Sequence, residues 1–360
     1  MTQRIAIDVG RGGQAGLPRL PSLAEESYQD FVEGLRGLVG SGMSLPAMRA
    51  LHGALGAPFA PSPPIPREML RTAGDGLPLL AVRNRMLRSS QQMMWKGLVR
   101  AYGARRELIE TALSAAETEG PGTLDCPRGF AVPEYACREF HIQPGGYQGD
   151  ALTGPVYHYG TKVFFVGTND DDAMHAELVR LAPIPIDGVV RKVLDLGCSI
   201  GQGTTALKRR FSDSAVTGID VSATLLRYAH ARARAAGIAV DFSQRNAEET
   251  GFAAAQWDVV QSVILFHEVP FAATRRILRE IYRLLRPGGV FNIFDFPAGE
   301  SLPAGLQYFL DIDHRYNGEP WSPEFIYADF TAELRAAGFA VERGPVVQRY
   351  LRTWFCRKPD

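Results

Sequence analysis

The chain has 360 residues, of which 46% are hydrophobic and 22% are charged, and its 39 lysines and arginines balance its 39 aspartates and glutamates. This composition is ordinary for a soluble globular protein, and the length favours two domains over one. The lack of net positive charge argues against a nucleic-acid backbone as the partner. The opening MTQRIAIDVGRGG lacks the apolar segment of a signal peptide, and no apolar run is long enough to cross a bilayer. We therefore expect a cytoplasmic protein with no membrane span.

The four cysteines are Cys126, Cys137, Cys198 and Cys356, and they are scattered along the chain without a CxxC pair. This spacing argues against a disulfide framework and against a structural zinc site. The sequence also lacks an HxxE motif. We therefore expect no metal.

The N-terminal third has a helical pattern after a short irregular start. Residues 1–20 carry Gly and Pro without an apolar period, which predicts a flexible arm. Residues 21–120 are predicted to form a helical domain that opens at SLAEESYQDFVEGLRGLVG, where Ser22 is followed three residues later by Glu25, as in a capping box. The longest helical stretch is predicted to break into two helices near Gly103. Such a domain often serves dimerisation or covers an active site, and we expect a homodimer.

Residues 121–185 are predicted to form a connector that acts as a lid. The stretch from Pro121 to Gly160 is rich in Pro, Gly, Tyr and Phe and has no sustained period, so an irregular structure is expected. Aromatic side chains on loops can line a pocket. Alternatively, they only hold the two domains together.

Residues 186–360 alternate between strand and helix patterns. The predicted strands are 192–196, 215–219, 239–243, 258–264, 290–295, 338–343 and 347–356. Helical stretches between the first five favour a parallel, doubly wound sheet. The last two predicted strands are separated by a link at Gly344 and Pro345 that is too short for a crossover helix. These two strands should therefore form an antiparallel hairpin. The predicted fold is α/β, a seven-stranded mostly parallel sheet preceded by the helical domain.

The stretch VLDLGCSIGQGT, residues 193–204, places a glycine-rich turn after a buried strand. Open α/β sheets bind ligands at this edge. Gly197, Gly201 and Gly203 allow a positive φ and a close approach of the ligand. Thr204 and Thr205 are expected to start a helix whose N–H groups face the ligand. The order of glycines differs from the dinucleotide fingerprint GxGxxG, and the Lys-Ser/Thr of a P-loop is absent.

Asp195, Gly197, Ser199 and Gly201 resemble the first motif of class I S-adenosylmethionine-dependent methyltransferases, acid-x-Gly-x-Gly-x-Gly. Ser199 departs from the motif and crowds the turn. Four further stretches resemble later motifs of this family in the proper order, over roughly residues 185–360: VTGIDVS, QRNAEETGF, WDVVQSVILFHEVP and LLRPGGVFNIFDF. The resemblance implies S-adenosyl-L-methionine as the cofactor.

The resemblance also implies which residues bind the cofactor. Asp220 would accept hydrogen bonds from the ribose diol, and Val221 would pack on the adenine. Asn246 and Ala247 would meet the adenine edge. Alternatively, Asp220 is a solvated acid at a strand end and Asn246 forms a turn. The full cofactor set is Asp195, Gly197, Ser199, Gly201, Asp220, Val221, Asn246, Ala247 and Val263.

Three residues are candidates for catalysis. His267 follows the fourth strand, with Glu268 beside it, and is the best candidate for a general base. Packing or substrate contact is the alternative. His314, after the fifth strand, is a second candidate.

The acceptor is predicted from what the chain lacks and from its aromatic residues. No Asn/Asp-Pro-Pro-aromatic motif follows the fourth strand, which disfavours amino groups of DNA bases and of glutamine. The chain resembles the branch with quinone-biosynthesis and other small-molecule enzymes, and transfer to oxygen is predicted ahead of sulfur, nitrogen or carbon. Arg315 could pair with a substrate carboxylate or form a surface salt bridge. The predicted substrate contacts are Tyr147, Tyr157, Tyr159, Arg315 and Tyr316.

Three other hypotheses remain open at this point. The first is a cofactor-binding protein without catalysis that recruits a partner through its helical domain. The second is a nicotinamide-dependent oxidoreductase, which the glycine order disfavours. The third makes residues 22–120 a separate regulatory module, whose deletion would leave methyl transfer intact.

Overall fold

The computed structural model describes residues 17–118, 120–348 and 350–360. Residues 1–16 of the predicted arm lie outside the described residues. The last part of that arm is packed, since the Leu17 side chain is buried and that of Leu20 is fully buried. The expectation of a flexible arm is therefore wrong for residues 17–20.

Within residues 17–118, five helices form the N-terminal part, with a π-helical turn at Leu38–Met43 between the first two. α1 begins at the predicted capping box: the Ser22 Oγ accepts from the Glu25 N–H at 3.3 Å, and the Ser22 N–H donates to the Glu25 carboxylate at 3.0 Å. The long helical stretch does break at Gly103, as predicted. The bounds are α1 Leu23–Gly37, α2 Ser44–Leu55, α3 Arg67–Asp75, α4 Pro78–Gly103 and α5 Arg106–Glu117.

In the part of the chain that the structure describes, the central sheet has eight strands in the order β1-β4-β3-β2-β5-β6-β8-β7. β8 runs antiparallel to both β6 and β7, and the other pairs are parallel, so the mostly parallel sheet with a terminal hairpin is confirmed. The strands are β1 Leu124–Asp125, β2 Lys192–Leu196, β3 Ala215–Asp220, β4 Asp241–Gln244, β5 Trp257–Val263, β6 Leu285–Asp295, β7 Ala340–Arg343 and β8 Arg352–Arg357.

The predicted count of seven strands is wrong because β1 comes from the connector. β1 has only two residues, too few to show any alternation in the sequence. Its pairing is fixed by the neighbouring strand: the Phe242 N–H donates to the Thr123 carbonyl at 2.8 Å, and the Thr123 N–H donates to the Asp241 carboxylate at 3.0 Å.

The connector is also less irregular than expected, because it contains α6 Thr153–Phe164 and α7 Ala173–Leu181. α6 packs against α1, α4 and α9 and is buried on most of its faces. The Gly154 and Pro155 of its first turn are typical of a loop, which explains why the sequence did not predict the helix. Its Pro155 lies in the first turn, where proline is tolerated.

The remaining helices cover the sheet and join it to the N-terminal part. Their bounds are α8 Gln202–Arg210, α9 Ala223–Ala235, α10 Phe271–Leu284, α11 Ala304–Tyr316, α12 Ser322–Ile326 and α13 Phe330–Ala336. α11 shares an apolar cluster with α2, α3 and α4 that contains Ala47, Leu51, Leu70, Leu80, Ala304, Tyr308 and Ile312. A second shared cluster joins α4 and α5 to α6 and α9 through Trp95, Leu98, Ile109, Tyr159, Leu225 and Tyr228. Apolar cores therefore cross both of the predicted domain boundaries.

The α1 helix does not bury the face that its apolar residues favour. Val32 and Arg36 face the interior, whereas Phe31 and Leu38 are 62% and 53% exposed. In the part of the chain that the structure covers, we find no helix with the length and apolar character needed to cross a membrane.

Candidate functional site

The glycine-rich turn after β2 runs through the left-handed region of backbone space. Gly197, Ser199 and Gly201 have φ values of 66°, 49° and 76°. A Cβ at Gly201 would lie 2.8 Å from the Phe242 ring, so glycine is required there for space as well as conformation. Ser199 adopts the same conformation with a side chain, at a cost of about 1–2 kcal/mol. The crowding expected from the sequence thus takes the form of backbone strain.

Gly203 has a different role from the one predicted. Its φ is not positive, and it lies inside α8, which begins at Gln202 rather than at Thr204. A Cβ at Gly203 would lie 2.9 Å from the Asp195 carboxylate, so the glycine makes room for that acid. The Thr204 hydroxyl donates to the same carboxylate at 2.7 Å. Burial raises the pKa of Asp195 to about 7.

Asp220 ends β3 beside this turn, because parallel strands finish at one edge of the sheet. Its two carboxylate oxygens accept from the Ser199 and Ser222 N–H groups, both at 2.9 Å. Burial raises the pKa of Asp220 to about 6, against the effect of these hydrogen bonds. A carboxylate offers about four acceptor positions, so Asp220 keeps capacity for a ligand hydroxyl.

Asn246 uses its side chain to shape the turn after β4. Its Oδ1 accepts from the Glu248 N–H at 3.0 Å, which is the turn-forming alternative considered above. Asn246 and Ala247 nevertheless line the same cavity as Asp220. Of the predicted cofactor set, Gly201 alone is not part of the cavity wall; the others are Asp195, Gly197, Ser199, Asp220, Val221, Asn246, Ala247 and Val263.

His267 lies on a 3-10 turn, Phe266–Glu268, directly after β5. Its side chain is fully buried, and its Nδ1 is 2.7 Å from the Asp295 carboxylate at the end of β6. Its Nε2 has no hydrogen-bond partner among the described residues, and the nearest acid, Glu319, is 3.9 Å away. Burial opposes protonation of the ring, but Asp295 and Glu319 outweigh it and raise the pKa of His267 to about 9. The ring lines the cavity that contains the glycine turn.

Glu268 belongs to a polar network on the same wall. Its carboxylate accepts from the Tyr147 hydroxyl at 2.9 Å and lies 3.0 Å from the His141 Nε2. The His141 Nδ1 is 3.1 Å from the Glu319 carboxylate. Burial opposes protonation of His141, but Glu268 and Glu319 outweigh it and raise the pKa of this ring to about 10.

Four predicted site residues lie elsewhere. His314 contacts Arg71, 3.1 Å from its guanidinium, and Arg315 forms an exposed salt bridge with Asp75 at 3.2 Å. His314 and Arg315 follow β6 in sequence, but the helix that contains them, α11, turns away from the sheet edge and packs on α2 and α3. None of the four lines the cavity: His314, Arg315, Tyr316 and the core residue Tyr159. Tyr147 and Tyr157 do line it, with their rings edge to face at 5.5 Å.

Comparisons with known proteins agree with this geometry. Residues 193–289 match the family model of a methyltransferase domain. The demethylmenaquinone methyltransferase of Thermus thermophilus is 28% identical over 178 residues, which cover 45% of this chain and 80% of that protein. The 27-O-demethylrifamycin SV methyltransferase of Amycolatopsis mediterranei is 32% identical over 165 residues, which cover 45% of this chain and 58% of that protein.

A further relative is the probable phthiotriol/phenolphthiotriol dimycocerosates methyltransferase 2 of Mycobacterium ulcerans. It is 30% identical over 189 residues, which cover 48% of this chain and 70% of that protein. The chain belongs to the class I S-adenosylmethionine-dependent methyltransferases. It is therefore an enzyme that uses S-adenosylmethionine, as the sequence motifs predicted.

The residues of the cavity fit the cofactor of this methyltransferase. S-adenosylmethionine supplies a methyl group on a positively charged sulfur. The turn at Gly197 and Ser199 leaves the backbone accessible to a ligand, and two acids, Asp195 and Asp220, suit its amine and hydroxyl groups. Asp220 also has unused acceptor capacity, as described above.

Two residues of this methyltransferase's polar network were not predicted from the sequence. His141 lies in the irregular part of the connector, where no period marks which side chains turn inward. Glu319 follows the predicted contacts Arg315 and Tyr316 by only a few residues, but its charge alone did not distinguish it from its neighbours. Both residues are brought to the site by tertiary packing.

Proposed function

We propose that this methyltransferase transfers the methyl group to an oxygen atom of a small, largely apolar acceptor. The observation that supports this is His267, a buried imidazole that lines the cofactor cavity with an unpartnered Nε2. A hydroxyl acceptor must lose its proton during methylation, and a histidine so placed can take it.

The surroundings of His267 define which of its nitrogens meets the acceptor. Asp295 also accepts from the backbone N–H groups of Leu265, Phe266 and Phe296, at 3.1, 2.7 and 2.8 Å. These bonds hold the carboxylate in place. An ionised carboxylate can only accept a hydrogen bond, so the His267 Nδ1 that faces it carries the proton. The neutral ring therefore offers its Nε2 lone pair to the cavity, where it acts as the general base.

We also propose roles for the cofactor-binding residues. Asp220 holds the ribose hydroxyls through its remaining acceptor positions. Val221 and Ala247 border the adenine, and Asn246 shapes the turn that carries Ala247. Asp195 lies behind the turn and faces the amine end of the cofactor. These roles align the methyl group with the acceptor and exclude water from the reaction.

The aromatic side chains that line the cavity, among them Tyr147, Tyr157 and Phe296, support an acceptor that is largely apolar. A second cavity between α1, α4 and the turn before β8 shares Phe164, Phe165, Phe296 and Glu319 with the first. The acceptor enters through this second cavity and places its hydroxyl at His267. The names of two relatives, a demethylmenaquinone and a 27-O-demethylrifamycin SV methyltransferase, also favour a small molecule.

The test is incubation with methyl-labelled S-adenosylmethionine and fractionated cell metabolites, followed by mass detection and NMR of the labelled product. We expect a methoxy group on one small molecule, and labelling slowed by about 10²- to 10⁴-fold with His267→Gln. Label on nitrogen, sulfur or carbon would overturn the oxygen assignment. Cofactor binding without any labelled product would instead support the non-catalytic hypothesis.

We further propose that α1 and the π-helical turn after it form part of a homodimer interface, because their apolar residues Leu23, Phe31 and Leu38 are exposed. Light scattering of the purified chain should give twice the monomer mass, and Phe31→Glu should give the monomer. The exposed Glu107 on α5 provides a matched control, since Glu107→Gln should remain dimeric. A monomeric wild-type chain would contradict this proposal.

A further inference from the structure

His141 occupies an unusual place in the connector. Its imidazole lies between two carboxylates, 3.0 Å from Glu268 through Nε2 and 3.1 Å from Glu319 through Nδ1. Its backbone has a φ of 53°, and the next residue, Ile142, has a φ of 51°. Two consecutive non-glycine residues in this region are strained, so surrounding contacts must hold them.

The contacts that hold this backbone come from α4, in the N-terminal part of the chain. The Trp95 indole N–H donates to the His141 carbonyl at 2.7 Å, and the Gln91 amide donates to the same oxygen at 2.6 Å. Gln91 is itself fixed, because its Oε1 accepts from Arg36 at 3.1 Å. A Cβ at Gly160 of α6 would lie 2.2 Å from the Trp95 ring, so the indole has no room to move that way.

We propose that Trp95 and Gln91 are positioning residues for methyl transfer, which act by holding His141 as a bridge between Glu268 and Glu319. This proposal rests on the proposed function of His267, since Glu319 lies 3.9 Å from its Nε2. Neither residue need touch the acceptor's reacting atom. The helical N-terminal part thus supplies part of the scaffold of the catalytic site.

The bridge sets the charge around His267. The titratable groups that face one another here are two histidines, His141 and His267, three acids, Glu268, Glu319 and Asp295, and the hydroxyl of Tyr147. With both rings protonated, two positive charges face three negative ones. Loss or displacement of the His141 charge leaves Glu268 and Glu319 less compensated, and their field then favours the protonated form of His267 more strongly.

The experiment is an NMR titration of the histidine rings in the full-length protein, without acceptor, for wild type, Trp95→Phe, Gln91→Met and His141→Gln. Trp95→Phe keeps an aromatic ring and removes the N–H donor. Trp257→Phe is the matched control, because this buried indole at the start of β5 has no hydrogen-bond partner among the described residues. Affinity for S-adenosylhomocysteine, measured by calorimetry, reports on folding and on the cofactor site.

We expect the titration midpoint of His267 to rise in all three variants, most in His141→Gln, and to stay at the wild-type value in Trp257→Phe. Affinity for S-adenosylhomocysteine should change less than about threefold. Once an acceptor is known, kcat at neutral pH should fall about 3- to 10-fold in Trp95→Phe with little change in KM.

An unchanged His267 titration in His141→Gln would overturn the proposal, as would equal shifts in Trp95→Phe and Trp257→Phe. If Trp95→Phe does not fold, Gln91→Met removes the other donor to the His141 carbonyl, together with the hydrogen bond from Gln91 to Asn317. Because the titration needs no acceptor, a failure here is distinct from a failure of the proposed oxygen transfer.

Discussion

At the scale of single residues, the site depends on acids held by backbone N–H groups. Asp220 binds the turn at Ser199 and the start of α9 at Ser222, so the carboxylate is fixed before a ligand arrives. Asp295 is fixed in the same way beside His267. Fixed acceptors lose little conformational entropy on binding, which favours both affinity and orientation.

Asp220→Ala should weaken binding of S-adenosylmethionine by about 10- to 100-fold, because hydrogen bonds to a charged group contribute about 1.5–3 kcal/mol. Isothermal titration calorimetry measures this directly. Asp213→Ala, an exposed acid before β3, is the control and should bind normally. Unchanged affinity in Asp220→Ala would remove the basis for the assigned cofactor orientation.

His267 should give the reaction a characteristic pH dependence. The general base must be neutral, and the acids around it raise its pKa to about 9, so kcat/KM should increase with pH through pH 9 and level off only above it. His267→Gln should lower kcat by about 10²- to 10⁴-fold and leave cofactor affinity unchanged. A flat wild-type profile between pH 6 and 9 would contradict the role of general base.

At the scale of elements, the turn between β2 and α8 requires glycine at one position above all. Gly201→Ala should destabilise the protein by about 2–4 kcal/mol, the sum of a left-handed backbone and overlap with Phe242. Gly34→Ala in α1 is the control, since nothing lies within 4 Å of its Cβ position. That control should stabilise the helix by about 0.5–1 kcal/mol. Urea unfolding measures the free energy of unfolding of both variants. Equal stability of Gly201→Ala and Gly34→Ala would contradict the requirement for glycine in this turn.

The elements also show what the sequence could predict. The strands β2 and β3 were predictable because each is an apolar run followed by a glycine or ended by an acid. The same pattern marked the acids Asp195 and Asp220 as candidate site residues. β1 was missed because two residues carry no pattern, and α6 because Gly154 and Pro155 in its first turn are typical of a loop. The direction of α11 depends on its packing against α2 and α3, so His314 and Arg315 were assigned to the wrong place. His141 and Glu319 were not found because only tertiary contacts bring them together.

At the scale of the whole molecule, the N-terminal helices and the sheet share their apolar cores. Leu98 of α4 is fully buried in the cluster that also contains Leu225 and Tyr228 of α9. Separation of the two parts would expose these side chains to water, at about 25 cal/mol per Å² of apolar surface. The regulatory-module hypothesis requires two parts that are stable alone, and the shared cores argue against it.

Differential scanning calorimetry should therefore show one cooperative unfolding transition for the full chain, with equal calorimetric and van't Hoff enthalpies. Leu98→Ala should lower the midpoint of that transition by removing buried contacts, without splitting it, whereas the exposed Val99→Ala should have little effect. Two separate transitions in the wild-type protein would show that the parts fold independently.

The packing of α11 on α2 and α3 has a consequence for synthesis on the ribosome. Arg71 and its partner Asp311 are 240 positions apart, so the first helices emerge long before the helix that covers them. Contacts of such long sequence separation form late and slow folding. During translation the apolar faces around Leu51 and Leu70 remain uncovered by α11 until that helix has been made, and exposed apolar surface of this kind favours aggregation.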